Sequence, residues 1–203
     1  MDEGVIKFAC DWEQAPPIAL DPAALQALIT WRDRLFQWGA IGVYPNGIGY
    51  GNLSIRLGID RFLISGTQTG HLTRTGPEHY TLVDRWEIDR NWLHCRGPIC
   101  ASSESLTHAA IYQLDPNIQA IIHGHCPALW DQERDRLPTT RATVPYGTPA
   151  MAREMARLFT ESPLPECRIL VMAGHEDGVL SFGQDLETAA QPLLDRLAAL
   201  GAS

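Results

Sequence analysis

The sequence predicts a three-layer α/β/α domain around a central, mainly antiparallel sheet, and three observations carry that expectation. The apolar patterns run helix, several strands, helix, strand, helix, hairpin, helix. Strands thus come in consecutive hairpin-like runs, whereas a doubly wound parallel sheet needs strict alternation with helices. Second, 203 residues with 45% hydrophobic content suit one well-filled core. Third, no repeat, low-complexity tract or composition shift marks a second domain. The expected division is an N-terminal arm over residues 1–20, mobile or loosely docked as far as Pro16-Pro17, and one domain over residues 21–203.

Each element has a local reason. Asp21-Pro22 supplies an N-cap and a first-turn proline, and Leu25, Leu28, Ile29, Leu35 and Phe36 then recur at helical spacing until Gly39. Between Ile41 and Tyr50 glycine, proline and Asn46-Gly47 predict a loop. Leu53, Ile55 and Leu57 alternate with Ser54 and Arg56, the pattern of a half-buried strand. A second strand, Arg61 to Ser65, leads into the small, hydroxyl-rich loop Gly66-Thr67-Gln68-Thr69-Gly70. Strands are expected around His79 to Asp84 and around Trp86 to Cys95. A helix opens at Ser102-Ser103-Glu104 and ends at Asp115-Pro116, and the β-rich run Ile118 to Ile122 delivers His123 and His125. Asp131 to Arg141 reads as a polar connection. Thr148-Pro149 starts a helix with Met151, Met155 and Leu158 on its buried side. The run Arg168 to Ala173 delivers Gly174-His175, and Asp177-Gly178 turns into Val179 to Phe182. Asp185 caps a last helix, which Pro192 should kink or delay.

Composition excludes several functions. A formal charge of −8 argues against nucleic acid and anionic membrane as partners, since both need a basic face. The five cysteines are odd in number, scattered and without C-x-x-C, so they frame neither a disulfide scaffold nor a zinc knuckle. The acidic N-terminus is unlike a signal peptide, and no apolar run reaches the ~18 residues of a membrane span. A cytoplasmic protein with reduced thiols is expected.

The chemistry concentrates between Ala101 and His125. Alternate side chains of a strand share a face, so His123 and His125 aim at one point and can supply two ligands to one metal ion. His175, at another strand end, is a third ligand or simply a solvated turn residue. Three imidazoles and a carboxylate suit a catalytic zinc site with an exchangeable position. Glu104 is then a fourth ligand or a general base; otherwise it is ordinary helix-start chemistry. The helix start with its two serines also makes an anion site. His108 and Tyr112 lie on the face of Glu104 and support the site by hydrogen bonds, whereas His71, His79 and His94 are surface or structural.

Together Gly51-Asn52-Leu53-Ser54, Ser65-Gly66-Thr67, Ser102-Ser103-Glu104 with His108 and Tyr112, His123-Gly124-His125 and Gly174-His175 resemble the class II aldolase/adducin family in order and approximate spacing. The resemblance spans the chain from first helix to last. It implies a class II aldolase-like α/β/α fold, a cyclic homotetramer and active sites at subunit boundaries. By resemblance to the fuculose-phosphate-aldolase-like members, His123, His125 and His175 bind zinc, and Glu104 is ligand and acid/base. Gly51, Asn52, Ser102 and Ser103, with Gly66 and Thr67 from the loop, hold the phosphate of a small phosphorylated sugar or polyol. The implied reaction is zinc-dependent carbon–carbon cleavage through an enediolate.

Three departures bear on that reaction. Glu176 follows His175 where the family usually has glycine, no residue clearly matches the tyrosine acid given by a neighbouring subunit, and the tail tyrosine is lacking. A methylthioribulose-1-phosphate-dehydratase-like loss of water and a non-catalytic adducin-like binding module are the alternatives. Another divalent metal could replace zinc. A cupin also uses His-x-His, but its carboxylate follows the histidines, and here Glu104 precedes them.

Overall fold

The computed structural model describes residues 5–201. Asp21 begins helix α1 (Pro22–Gln37) as expected: its carboxylate accepts from the amides of Ala23 and Ala24, satisfying donors that the first turn leaves open. The glycine-rich stretch after it holds a small hairpin, β2 (Gly42–Val43) with β3 (Gly49–Tyr50), where only a loop was expected. The main sheet then builds from β4 (Asn52–Arg56), β5 (Phe62–Ser65), β6 (Tyr80–Glu87) and β7 (Trp92–Gly97). Glu87 therefore belongs to the third expected strand, and the turn to the fourth falls at residues 88–91.

Helix α2 (Ser105–Leu114) carries the chain to β8 (Ala120–His125). Pro127 at its first position starts a short helix, α3 (Pro127–Glu133), that enters the segment expected to be a polar connection. Helix α4 (Pro149–Glu161) starts at Thr148, whose hydroxyl accepts from the Met151 amide, and buries Met151, Met155 and Leu158. A one-turn helix, α5 (Leu164–Cys167), precedes β9 (Ile169–Val171) and β10 (Gly178–Gly183). Helix α6 (Leu186–Ala199) runs through Pro192 with no delayed start. The reciprocal bonds between Asp185 and Thr188 anchor its first turn.

One strand corrects the expected arm. Ala9–Gln14 forms β1, which pairs in parallel with β7 at the sheet edge, so this part of the arm is docked by a ladder. Its own side chains are mostly exposed and gave no apolar pattern to read. The eight strands lie in the order β1-β7-β6-β5-β4-β8-β10-β9, and every pair except β1 with β7 is antiparallel.

The sheet is buried on both faces. Alternation sends Leu53, Leu63, Ile122 and Val179 into a core with Leu28 and Leu35 of α1, Leu129 of α3 and Leu193 of α6. Phe62, Ile64, Ile121 and Leu180 face the opposite core, with Ile111 and Tyr112 of α2 and Met155 and Leu158 of α4. Two helix layers around one sheet give the α/β/α sandwich, and the α2/α4 side receives the odd-numbered residues of β8.

Candidate metal site and anion loop

His123 and His125 share the face of Ile121, as a period of two requires, and their Nε2 atoms stand 3.2 Å apart. The antiparallel register sets Gly178 opposite His125, so the turn between β9 and β10 returns His175 over the end of β8. A Cβ at Gly178 would lie 3.1 Å from the His175 ring and 3.3 Å from that of His123, which is why the turn ends in glycine. All three imidazoles are buried, with ligand nitrogens within 4.8 Å of one another.

Their surroundings set which nitrogens face inward. His123 Nδ1 lies 3.2 Å from the Val179 carbonyl, which can only accept, so the proton sits on Nδ1. His125 Nδ1 is 2.7 Å from the Tyr44 hydroxyl, which donates to Asp177 Oδ2 at 3.4 Å and accepts from the ring. Both Nε2 atoms therefore face each other at the centre of the cluster. Burial first, then the neighbouring imidazoles, push the pKa values of His123 and His125 well below the ordinary histidine value, which keeps both rings neutral. With both Nδ1 atoms engaged, the two Nε2 atoms that meet at 3.2 Å are the ones available to a cation. The donor set fits a divalent metal.

Glu104 is placed differently from the expected first-turn residue. It occupies the N-cap position of α2, its side chain makes no capping bond, and its carboxylate is buried 3.6 Å from His175 Nδ1. The carboxylate is thereby spared for the imidazole cluster. The His175 ring also stacks on Tyr146, with centroids 4.5 Å apart, and Lys7 Nζ covers the Tyr146 ring at 3.7 Å.

Glu104 also lines a cavity with Gly51, Asn52, Gly66, Thr67, Ser102 and Ser103, so the expected anion residues do converge. Gly51 has φ +75°, and a Cβ there would meet the Ala40 carbonyl at 2.7 Å, a close approach only glycine permits. Asn52 pairs with His123 across β4 and β8, joining the cavity to the imidazole cluster. Its buried Oδ1 has no hydrogen-bond partner among the described residues, as expected of a group awaiting a ligand or water. Thr67 lines the cavity with its amide already given to the Cys100 carbonyl.

His108 and Tyr112, expected to support the site by hydrogen bonds, bond Ser54 and not a residue of the cluster or the cavity lining. Ser54 Oγ on β4 bonds His108 Nδ1 at 2.7 Å and Tyr112 Oη at 2.8 Å, inside the α2 layer. His71 is exposed, while His79 and His94 bond the Gly76 amide and the Asp84 carboxylate. Glu176 is exposed, so the departure beside His175 leaves the imidazole cluster itself unobstructed. Sequence reading passed over Tyr44, Asp177, Tyr146 and Arg32. The buried Arg32 guanidinium of α1 holds the carbonyls of Thr69, Gly70 and Leu72 and so braces the anion loop. An arginine on the buried stripe of a helix was the available signal, since an interior guanidinium needs acceptors.

Fold and site together define an α/β domain with a buried tris-imidazole cluster able to hold a divalent metal beside a hydroxyl-rich cavity. The chain belongs to the class II aldolase and adducin N-terminal domain family, whose model matches residues 46–195. Solved structures share the fold at low identity. YgbL from Klebsiella pneumoniae, described as an aldolase/epimerase/decarboxylase candidate, matches with 19% identity and a TM-score of 0.65 over 88% of this chain and 87% of its own. An L-fuculose 1-phosphate aldolase matches with 21% identity and a TM-score of 0.67 over 89% and 84%. A sugar-phosphate aldolase from Thermotoga maritima matches with 16% identity and a TM-score of 0.65 over 88% and 92%. No curated protein matches the chain at the level of sequence. Among the described residues no helix is long and apolar enough to cross a membrane.

Proposed function

We propose that the protein is a zinc-dependent lyase acting on a small phosphorylated sugar or polyol by aldolase-type carbon–carbon cleavage. The observation that carries this reading is the double position of Glu104, which lines the cavity of the anion loop and lies 3.6 Å from His175. One carboxylate thus faces both the place where a phosphate would be held and the place where a metal would be held.

His123, His125 and His175 would hold the ion, with Glu104 as a ligand that substrate can displace. When bound, zinc supplies Lewis-acid polarisation of a carbonyl and its neighbouring hydroxyl. Glu104 would carry the proton between substrate and product as general acid/base. Gly51, Asn52, Gly66, Thr67, Ser102 and Ser103 would bind the phosphate, fixing the substrate's orientation and supplying binding energy remote from the bond that breaks. We place the enzyme in the cytoplasm, where its thiols stay reduced, and as a homotetramer. Exposed Trp12, Trp38 and Val43 offer apolar surface for such contacts, and sedimentation at four times the chain mass is expected.

The test is calorimetric titration of zinc-loaded protein, its metal content verified, with a phosphorylated hydroxamate that mimics an enediolate. Binding that disappears on chelation is the expected result. No binding by the loaded protein would remove the phosphate assignment. Product assays for cleavage and for loss of water then separate aldolase from dehydratase.

A further inference from the structure

The parallel register of β1 on β7 sets Cys10 opposite Leu93 and Trp12 opposite Cys95, which brings Cys10 to the core face beside Cys95. Cys100, just beyond β7, closes against them. Cys10 Sγ lies 3.4 Å from Cys100 Sγ and 3.6 Å from Cys95 Sγ, and all three sulfurs fall within 4.8 Å of one another. Cys95 is buried and the other two are half-buried, packed against a core that includes Phe8, Leu93 and Ala101. Spacing in the sequence gave no sign of this, because the three come together only through the ladder of an edge strand.

We propose that Cys10, Cys95 and Cys100 form a second metal site, separate from the histidine cluster, that takes one soft d10 ion of the Zn2+, Cd2+ or Cu+ class as a tris-thiolate. Thiolates at about 2.3 Å from a tetrahedral zinc stand about 3.8 Å apart, so Cys10 needs to part from Cys95 and from Cys100 by only a few tenths of an ångström. A disulfide would need one pair to close to about 2.05 Å and would leave the third thiol over. Sulfur donors in an apolar setting select soft ions over hard ones. Hydrogen bonds from Cys10 and Cys95 pull the Cys100 thiol far below the ordinary thiol range, and the same contacts push Cys10 upward. Each thiol gives up its proton to solvent as its sulfur binds the ion.

Such an ion would tie the exposed edge strand to the active-site backbone. The Cys100 carbonyl accepts from the Thr67 amide at 2.9 Å, and Ala101 bridges Gly66, so Cys100 borders both the anion loop and the Ser102–Glu104 segment.

The test titrates Cd2+ into reduced, chelator-stripped protein while following the ultraviolet thiolate-to-cadmium charge-transfer band and the stoichiometry by native mass spectrometry. Wild-type protein is expected to take two equivalents, with the band accompanying only one. His123→Ala should keep the band, and Cys10→Ser and Cys95→Ser should each lose it while retaining the wild-type circular dichroism spectrum. Absence of the band in reduced wild-type protein would overturn the proposal. So would its survival in both serine variants, which would assign it to Cys126 or Cys167. A mass lower by two hydrogens, with no cadmium taken up by the thiols, would replace the metal site with a disulfide.

Discussion

At the scale of single residues, the imidazole cluster depends on neighbours that fix each ring. His123→Ala is expected to lower metal occupancy, whereas Glu104→Gln should retain most of the metal and lose at least about 10²-fold in kcat, the usual worth of a positioned acid/base. Metal analysis beside steady-state kinetics distinguishes the two; full occupancy in the first variant or wild-type turnover in the second would remove the corresponding role. Tyr44 bonds His125 Nδ1 at 2.7 Å, so Tyr44→Phe should weaken metal affinity by about 10–100-fold with little change in fold. A competition titration against a chelating dye measures this, and an unchanged affinity would show that the Tyr44 hydroxyl does not orient the ring. His123, His125, His175 and Glu104 were all legible as candidates, because strand alternation and a helix start are local patterns. Tyr44 was not, since it reaches His125 across 81 positions of chain from a loop whose own pattern announces only turns.

At the scale of elements, local chemistry and long-range pairing separate clearly. The start of α6 rests on Asp185 and Thr188, whose bonds lie within four residues. Asp185→Ala should cost about 1 kcal/mol in urea unfolding and leave metal affinity unchanged. A stability loss below error would place the helix start elsewhere. At the cavity wall between β3 and β4, Gly51→Ala forces a Cβ onto φ +75° and against the Ala40 carbonyl, with an expected cost of about 1–3 kcal/mol. Weakened binding of the phosphorylated hydroxamate should accompany it. Retained stability and retained binding together would mean that this backbone relaxes freely. The strand β1 shows the other limit: all its side chains except Cys10 are exposed, and only the ladder to β7 makes it a strand.

At the scale of the whole molecule, burying histidines makes stability depend on pH. Burial lowers the His108 pKa to about 3, against about 6.5 in an unfolded chain. Between those values the unfolded state binds more protons. The stabilisation from keeping His108 neutral is therefore complete above about pH 6.5 and is lost as pH falls toward 3. His123 and His125 shift in the same direction in metal-free protein. The unfolding free energy of chelated protein, read from urea titrations, should drop between pH 7 and pH 5, with His108 alone contributing about 2 kcal/mol. His108→Asn should flatten part of the profile; an unchanged slope would assign the dependence to other groups.

The sequence by itself determined the helix starts at Asp21, Thr148 and Asp185, the two-sided apolar strands, and the histidines and carboxylate that could meet. Those features rest on caps and periodicities that act within a few residues. Tertiary structure alone decided that β1 joins β7, that Arg32 braces the anion loop, that Tyr44 orients His125, and that Cys10, Cys95 and Cys100 share one point. Each of these contacts joins residues at least 37 positions apart, apart from Cys95 and Cys100, and is set by strand register and by which face of the sheet each helix covers. No local pattern encodes that choice, because it comes from closing the whole sheet and burying both of its faces at once.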